Sequence, residues 1–182
     1  GITGYYSKII SFVGKFTSFK GIDILLNAAV DFERDDTAII LAGDGEIFNE
    51  MKELARKNCL HHVYFVHNQQ QKVLRKLYGA ASVSLLTSRV ESFGLVIIEA
   101  MACGAPVVAS DDGGAVDILN EDVGVLFRSE DPKDLAEKVN YVMDNVDKYD
   151  RDAIAKYALD NFSHSLSIKK VYKLYEDAIA AY

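Results

Sequence analysis

The chain is 182 residues long, enough for one sizeable domain, and its 49% hydrophobic content with only 2 prolines excludes a disordered segment. Its 20 basic and 27 acidic residues leave a net charge of -7, the wrong sign for a protein that reads the phosphate backbone of nucleic acid. No apolar run reaches the length of a membrane span, and Gly1-Ile2-Thr3-Gly4-Tyr5-Tyr6 lacks the regions of a signal peptide, so a soluble cytoplasmic domain is expected.

Short apolar runs alternate with segments of helical period. Ile9 to Val13 reads as a strand, followed by a helix with Ile22, Leu25, Ala29 and Phe32 on one face. Ala38 to Ala42 precedes a helix with Ile47, Met51, Leu54 and Ala55, and Val63 to Val66 precedes one with Val73, Leu74, Leu77 and Tyr78. A buried strand over Ser82 to Ser88 leads into an apolar helix; then come a strand Pro106 to Ala109, a short helix from about Gly114 to Leu119, and a strand Gly124 to Phe127. Six near-continuous apolar strands alternating with helices predict an α/β fold, a doubly wound Rossmann-like parallel sheet with helices on both faces. The sheet core spans about residues 8–130 of a single domain, 1–182.

Asp131-Pro132 then caps a helix carrying Leu135, Val139, Val142, Met143 and Val146, and no strand comes after it, so residues 131–182 form a helical C-terminal extension. Its last part, Ser167 to Tyr182, aligns Ile168, Val171, Tyr172, Tyr175, Ile179 and Tyr182 in one stripe. The expectation is that this stripe packs on the domain, with docking on a neighbouring domain as the alternative. Cys59 and Cys103 fall in different predicted helices without metal-ligand spacing and read as buried free thiols. His61, His62 and His164 read as surface residues, and Asp150-Arg151-Asp152 as a solvated helical face rather than a metal pair.

From Phe93 to Ala105 every residue except Glu99 is apolar, a cysteine or a glycine, which predicts a buried helix whose one carboxylate must be partnered. Glu91 lies in the strand-to-helix turn before it, where an open α/β sheet binds ligands. The loop after the first strand, Gly14-Lys15-Phe16-Thr17-Ser18-Phe19-Lys20-Gly21, brings two cations to the same sheet edge and matches neither the dinucleotide fingerprint nor a P-loop. Gly43-Asp44-Gly45 reads as a strand-to-helix turn. Lysines and free helix amides at Gly94 suit a diphosphate, while Glu99 suits a ribose diol further along and Glu91 hydroxyls on the other side of the phosphates. Together they imply a nucleotide diphosphate sugar.

The run Glu91-Ser92-Phe93-Gly94-Leu95-Val96-Ile97-Ile98-Glu99-Ala100-Met101-Ala102-Cys103-Gly104-Ala105-Pro106-Val107-Val108-Ala109-Ser110, with Gly113-Gly114 beyond it, resembles the retaining GT-B glycosyltransferases of family four. Lys20-Gly21, Ala42-Gly43-Asp44-Gly45 and Thr87-Ser88 also align, and Gly14-Lys15 looks like the family's Gly-Arg with a lysine that keeps the charge but loses the bidentate fork. The resemblance covers nearly the whole chain. It implies the C-terminal, donor-binding domain, with Gly14, Lys15 and Lys20 on the diphosphate and Glu91 on the sugar. Ser92, Phe93, Gly94 and Leu95 would lie against sugar and phosphate, Glu99 against the ribose, and His67 and Asn68 near the base. Lys15, Lys20 and Glu91 would be the catalytic groups of a hexosyltransferase that needs no metal and no cofactor and takes a UDP-, GDP- or ADP-sugar.

The same resemblance implies that the acceptor is bound by an N-terminal domain this chain lacks, so that the chain alone is inactive or nearly so. It would work in the cytoplasm or at the cytoplasmic face of the membrane, in polysaccharide or glycolipid synthesis. Among other classes, a glycosidase leaves the sheet-edge phosphate site unexplained and a nicotinamide oxidoreductase lacks its glycine fingerprint. A non-catalytic nucleotide-binding or interaction domain is the alternative.

Overall fold

Six strands, β1 (Lys8–Val13), β2 (Thr37–Ala42), β3 (Val63–Val66), β4 (Val83–Leu86), β5 (Val107–Ser110) and β6 (Gly124–Phe127), pair in parallel in the order β3-β2-β1-β4-β5-β6. The computed structural model describes residues 6–32 and 35–180. The order reverses beside β1, because the chain leaves β3 at one edge and returns on the far side of β1, with Ile10 opposite Val83. That reversal opens a crevice at the carboxyl ends of β1 and β4.

Both sheet faces are covered, which is why the central strands are mostly apolar, with Ser11, Ser84 and Ser110 as small buried exceptions. Every residue of β4 and of β5 is buried, whereas the edge strand β3 is half-buried along its length. Helix α1 (Ile22–Ala28) packs against α2 (Phe48–Lys57) and α6 (Pro132–Asp144). The other layer holds α3 (Gln71–Ala80), α4 (Leu95–Ala102) and α7 (Arg151–Phe162), with α4 between its two neighbours. A single turn, α5 (Ala115–Ile118), joins β5 to β6. Capping sets the starts of the late helices: the Asp131 carboxylate accepts from the amides of Lys133 and Asp134 ahead of α6, and Asp150 accepts from Asp152 and Ala153 ahead of α7.

Arg151, at the start of α7, donates to the carbonyls of Gly79 and Ala81, each at 2.8 Å, and to that of Cys103 at 3.5 Å. It thus takes carbonyls at the ends of both α3 and α4, groups that a helix end leaves without a backbone partner, and adds a cation where the helix dipoles are negative. Backbone contact explains a second close junction. Gly21 has φ 58°, and a Cβ there would lie 2.0 Å from the Thr87 carbonyl oxygen, so only glycine lets the loop after β1 close on the end of β4.

Several expectations are corrected. Helix α8 (His164–Ala180) forms, but its apolar stripe does not pack on the domain: Ile168, Tyr172, Tyr175 and Ile179 are all exposed, Tyr172 at 70% and Ile179 at 76%. Tyr182 and the Val171 side chain lie outside the described residues. Helix α4 is not buried all round either; Ile97, Ala100 and Met101 are buried, but Leu95 and Ala102 are exposed, since α4 is covered mainly by the sheet, α3 and α7. Cys59 is an exposed thiol just beyond α2, in a left-handed turn with φ 56°, and Cys103 is half-buried at the end of α4. His62 is half-buried rather than at the surface: burial lowers its pKa, as does the neighbouring His61, and its Nε2 has no hydrogen-bond partner. Among the described residues no helix is long and apolar enough to cross a membrane.

Candidate functional site

The crevice between β1 and β4 is built by two loops held together by side chains from both. A short 3-10 turn, Ser18 to Lys20, carries the second lysine, and Thr87 Oγ1 donates to the Lys20 carbonyl at 2.9 Å. Ser110 Oγ, at the end of β5, donates to the Ser88 carbonyl at 2.8 Å. Arg89, which sequence reasoning passed over, is the main tie. Its guanidinium forks onto both oxygens of Asp23 at 2.7 and 2.8 Å, reaches the Ser18 carbonyl at 2.7 Å, and pairs with Glu130; its backbone amide donates to the Phe19 carbonyl at 2.8 Å. The Arg89 hydrogen bonds hold the Asp23 carboxyl below its ordinary pKa against the opposing effect of burial.

The sequence-predicted residues Lys20, Glu91, Phe93 and Gly94 come together on one point. Lys20 Nζ lies 2.7 Å from Glu91 Oε2, while Glu91 Oε1 accepts from the Gly94 amide at 3.1 Å and the Phe93 amide at 3.5 Å, and Ser88 Oγ donates at 3.3 Å. The pair is largely enclosed, with Glu91 13% and Lys20 27% exposed. Burial works against ionisation of Glu91, yet the Lys20 ammonium and the two amides outweigh it and hold its carboxyl below the usual carboxylate range. This is an oxyanion site at the start of a helix, satisfied by a carboxylate of the protein itself. Gly94 supplies the left-handed turn that aims the amides, with φ 84°.

Glu99 lies further along α4, at a groove of about 530 Å³ between α3 and α4 lined by Gln71, Arg75, Tyr78, Ala102 and Cys103. Its internal partners are long: Gln71 Nε2 and the Tyr78 hydroxyl each donate at 3.4 Å. Tyr78 is 1% exposed, and burial together with the Glu99 charge raises its phenol pKa above the ordinary value. The hydroxyl thus stays a donor, and the carboxylate that the sequence said must be partnered is only loosely held.

The remaining predicted residues lie further out. Gly14 is half-buried at the end of β1, and Lys15, Ser92 and Leu95 are exposed at the crevice rim. His67 and Asn68 are exposed beyond β3; the His67 ring stacks on Phe48 with centroids 4.4 Å apart and its Nδ1 is 2.9 Å from Asp44 Oδ2. That hydrogen bond holds the Asp44 carboxyl below its ordinary pKa. Asp44, read from sequence as part of a plain turn, therefore fixes the orientation of a ring. Among the described residues no three His, Cys, Asp or Glu side chains converge as a metal-ligand set.

The family model for Glycosyl transferases group 1 matches residues 6–160. The D-inositol 3-phosphate glycosyltransferase of Corynebacterium diphtheriae is 32% identical over 186 residues, covering 95% of this chain and 43% of that protein. An uncharacterized glycosyltransferase of Methanocaldococcus jannaschii is 33% identical over 166 residues, covering 86% of this chain and 43% of that protein. The chain therefore spans less than half the length of these relatives. Among solved structures, Anabaena HepE in complex with UDP-glucose superposes with a TM-score of 0.86 at 25% identity, over 96% of this chain and 50% of that one. Sucrose-phosphate synthase from Thermosynechococcus elongatus gives 0.86 at 27% identity, over 96% of this chain and 46% of that one.

Proposed function

The chain belongs to the glycosyl transferases group 1 family, and from that premise we propose that it is the donor-binding half of a retaining glycosyltransferase that transfers a hexose from a nucleotide diphosphate. The observation that carries this reading is the convergence of Lys20 and the Phe93 and Gly94 amides on a single oxyanion position at the sheet's switch point. Negative charge builds on the diphosphate as the sugar leaves. A lysine and amides already aimed at that position stabilise the charge without reorganising, and Lys15 at the rim adds a second cation. On this reading they do the work that a metal ion does elsewhere, and no cofactor is needed.

Glu99 then exchanges its two long internal hydrogen bonds for the ribose diol, and Glu91 accepts from hydroxyls of the sugar. A uridine nucleotide is the first choice, because a protein of this fold at 25% identity is solved with UDP-glucose; His67 and Asn68 lie where the base would pass. An acceptor domain elsewhere in the parent protein would close the crevice, and the parent enzyme would act in the cytoplasm on a polysaccharide or glycolipid acceptor.

Calorimetry with UDP, GDP and ADP, and then with their glucose esters, tests the reading. One of the three series is expected to bind, with affinity falling about tenfold or more in Lys20→Ala and in Glu99→Ala. Absence of binding to all of them overturns the proposal.

A further inference from the structure

The oxyanion position is claimed twice, by the Glu91 carboxylate in the structure and by a donor phosphate in the proposed function. Both claimants need the Lys20 ammonium and the Phe93 and Gly94 amides. We infer that Glu91 sets the ligand preference of the site, favouring a nucleotide sugar over the bare nucleoside diphosphate by competing with the terminal phosphate for Lys20 and the two amides. The inference rests on the donor-binding reading.

The backbone of Glu91 is held in place. Its carbonyl accepts from the Gly114 amide at 3.3 Å, and it packs so tightly under the next turn that a Cβ on Gly113 would lie 1.8 Å from the Glu91 oxygen. Only the side chain is free to rotate. Entry of a phosphate therefore takes Lys20 and both amides from the carboxylate and leaves it the Ser88 hydroxyl at 3.3 Å, one long hydrogen bond for a charge that had four donors, which is costly.

The fate of the displaced carboxylate depends on the group attached to the phosphate. A sugar on the terminal phosphate presents several hydroxyl donors at that point, and an ionised carboxylate is an acceptor only, so the displaced Glu91 is satisfied again. A bare diphosphate presents no donor. Its terminal phosphate has moreover a second ionisation near pH ~6 and carries close to an additional charge at neutral pH, which a neighbouring carboxylate repels. The same competition disfavours the nucleoside diphosphate left after transfer, so it would speed product release.

Calorimetry of UDP and UDP-glucose at neutral pH with the unaltered chain, Glu91→Gln and Glu91→Ala decides the matter, with thermal unfolding run alongside so that the variant that folds is the one read. The unaltered chain is expected to bind UDP-glucose more tightly than UDP. Removing the charge is expected to tighten UDP by about tenfold while leaving UDP-glucose unchanged or weaker, so that the preference collapses. If UDP binds the folded variants no more tightly than the unaltered chain, the inference is overturned and the donor-binding reading stands. If the unaltered chain binds neither ligand, the same comparison is run with the guanosine and adenosine pairs; binding to none of them overturns the donor-binding reading, and this inference with it.

Discussion

The corner between β1 and β4 and the outer face of α8 are both rich in side chains that need company, but only the corner provides it. There Arg89 finds Asp23, Glu130 and the Ser18 carbonyl, Lys20 finds Glu91, and Thr87 and Ser110 close the remaining carbonyls. On α8 the side chains of Tyr172, Leu174, Tyr175 and Ile179 are each about two-thirds or more exposed. The difference teaches preorganisation. The corner is assembled before a ligand comes, so ligand binding need not supply that ordering, whereas whatever meets α8 must.

Three variants test how sharp this contrast is. The largest effect is expected from Gly21→Ala, which puts a methyl group against the Thr87 carbonyl in a left-handed backbone; strain and overlap together should remove about 3 kcal/mol or more from the urea unfolding free energy. An unchanged urea midpoint would mean the two loops are not locked together. Arg89→Ala comes next. Losing the fork on Asp23 and the Ser18 contact should cost about 1–2 kcal/mol, discounted for partial exposure, and should weaken UDP binding because the Lys20 turn loses its tie. Unaltered UDP affinity in a measurably destabilised Arg89→Ala chain would show that the tie supports the fold and not the ligand site. The smallest effect is expected from Tyr172→Ser combined with Tyr175→Ser, within about 0.5 kcal/mol in the same unfolding measurement, as for exposed positions generally. A larger loss would show that the stripe is covered after all.

Much of the site was legible from sequence because its parts are close together in the chain. Glu91, Gly94 and Glu99 share one turn and one helix, so a carboxylate at a helix start and another on an apolar helix already state a charge problem whose solution is a ligand edge. Lys20 was legible by topology, since the loop after the first strand must meet the loop after the fourth. Arg89 was not, because its partners Asp23 and Glu130 lie far away in the chain and nothing local marks them. Tyr78 was hidden differently: placed on the apolar stripe of α3, it reads as core, and it is core, but its hydroxyl points at Glu99. The face of α8 shows the limit of periodicity, which reveals that a face exists without revealing what covers it. Cys59 shows the same limit at a helix end, where a left-handed turn just past the last residue of α2 turns the thiol out to solvent.

Arg151 ties the groove beside Glu99 to a point outside it. Because one guanidinium takes carbonyls at the last turns of α3 and α4 together, those two helices are fastened to each other at their C-terminal ends. Nearer their starts the link is weaker: Gln71 of α3 reaches Glu99 of α4 through one hydrogen bond of 3.4 Å. One side chain that is not itself part of the lining thus sets the spacing of the two helices that wall the groove, and a change at Arg151 would be felt there.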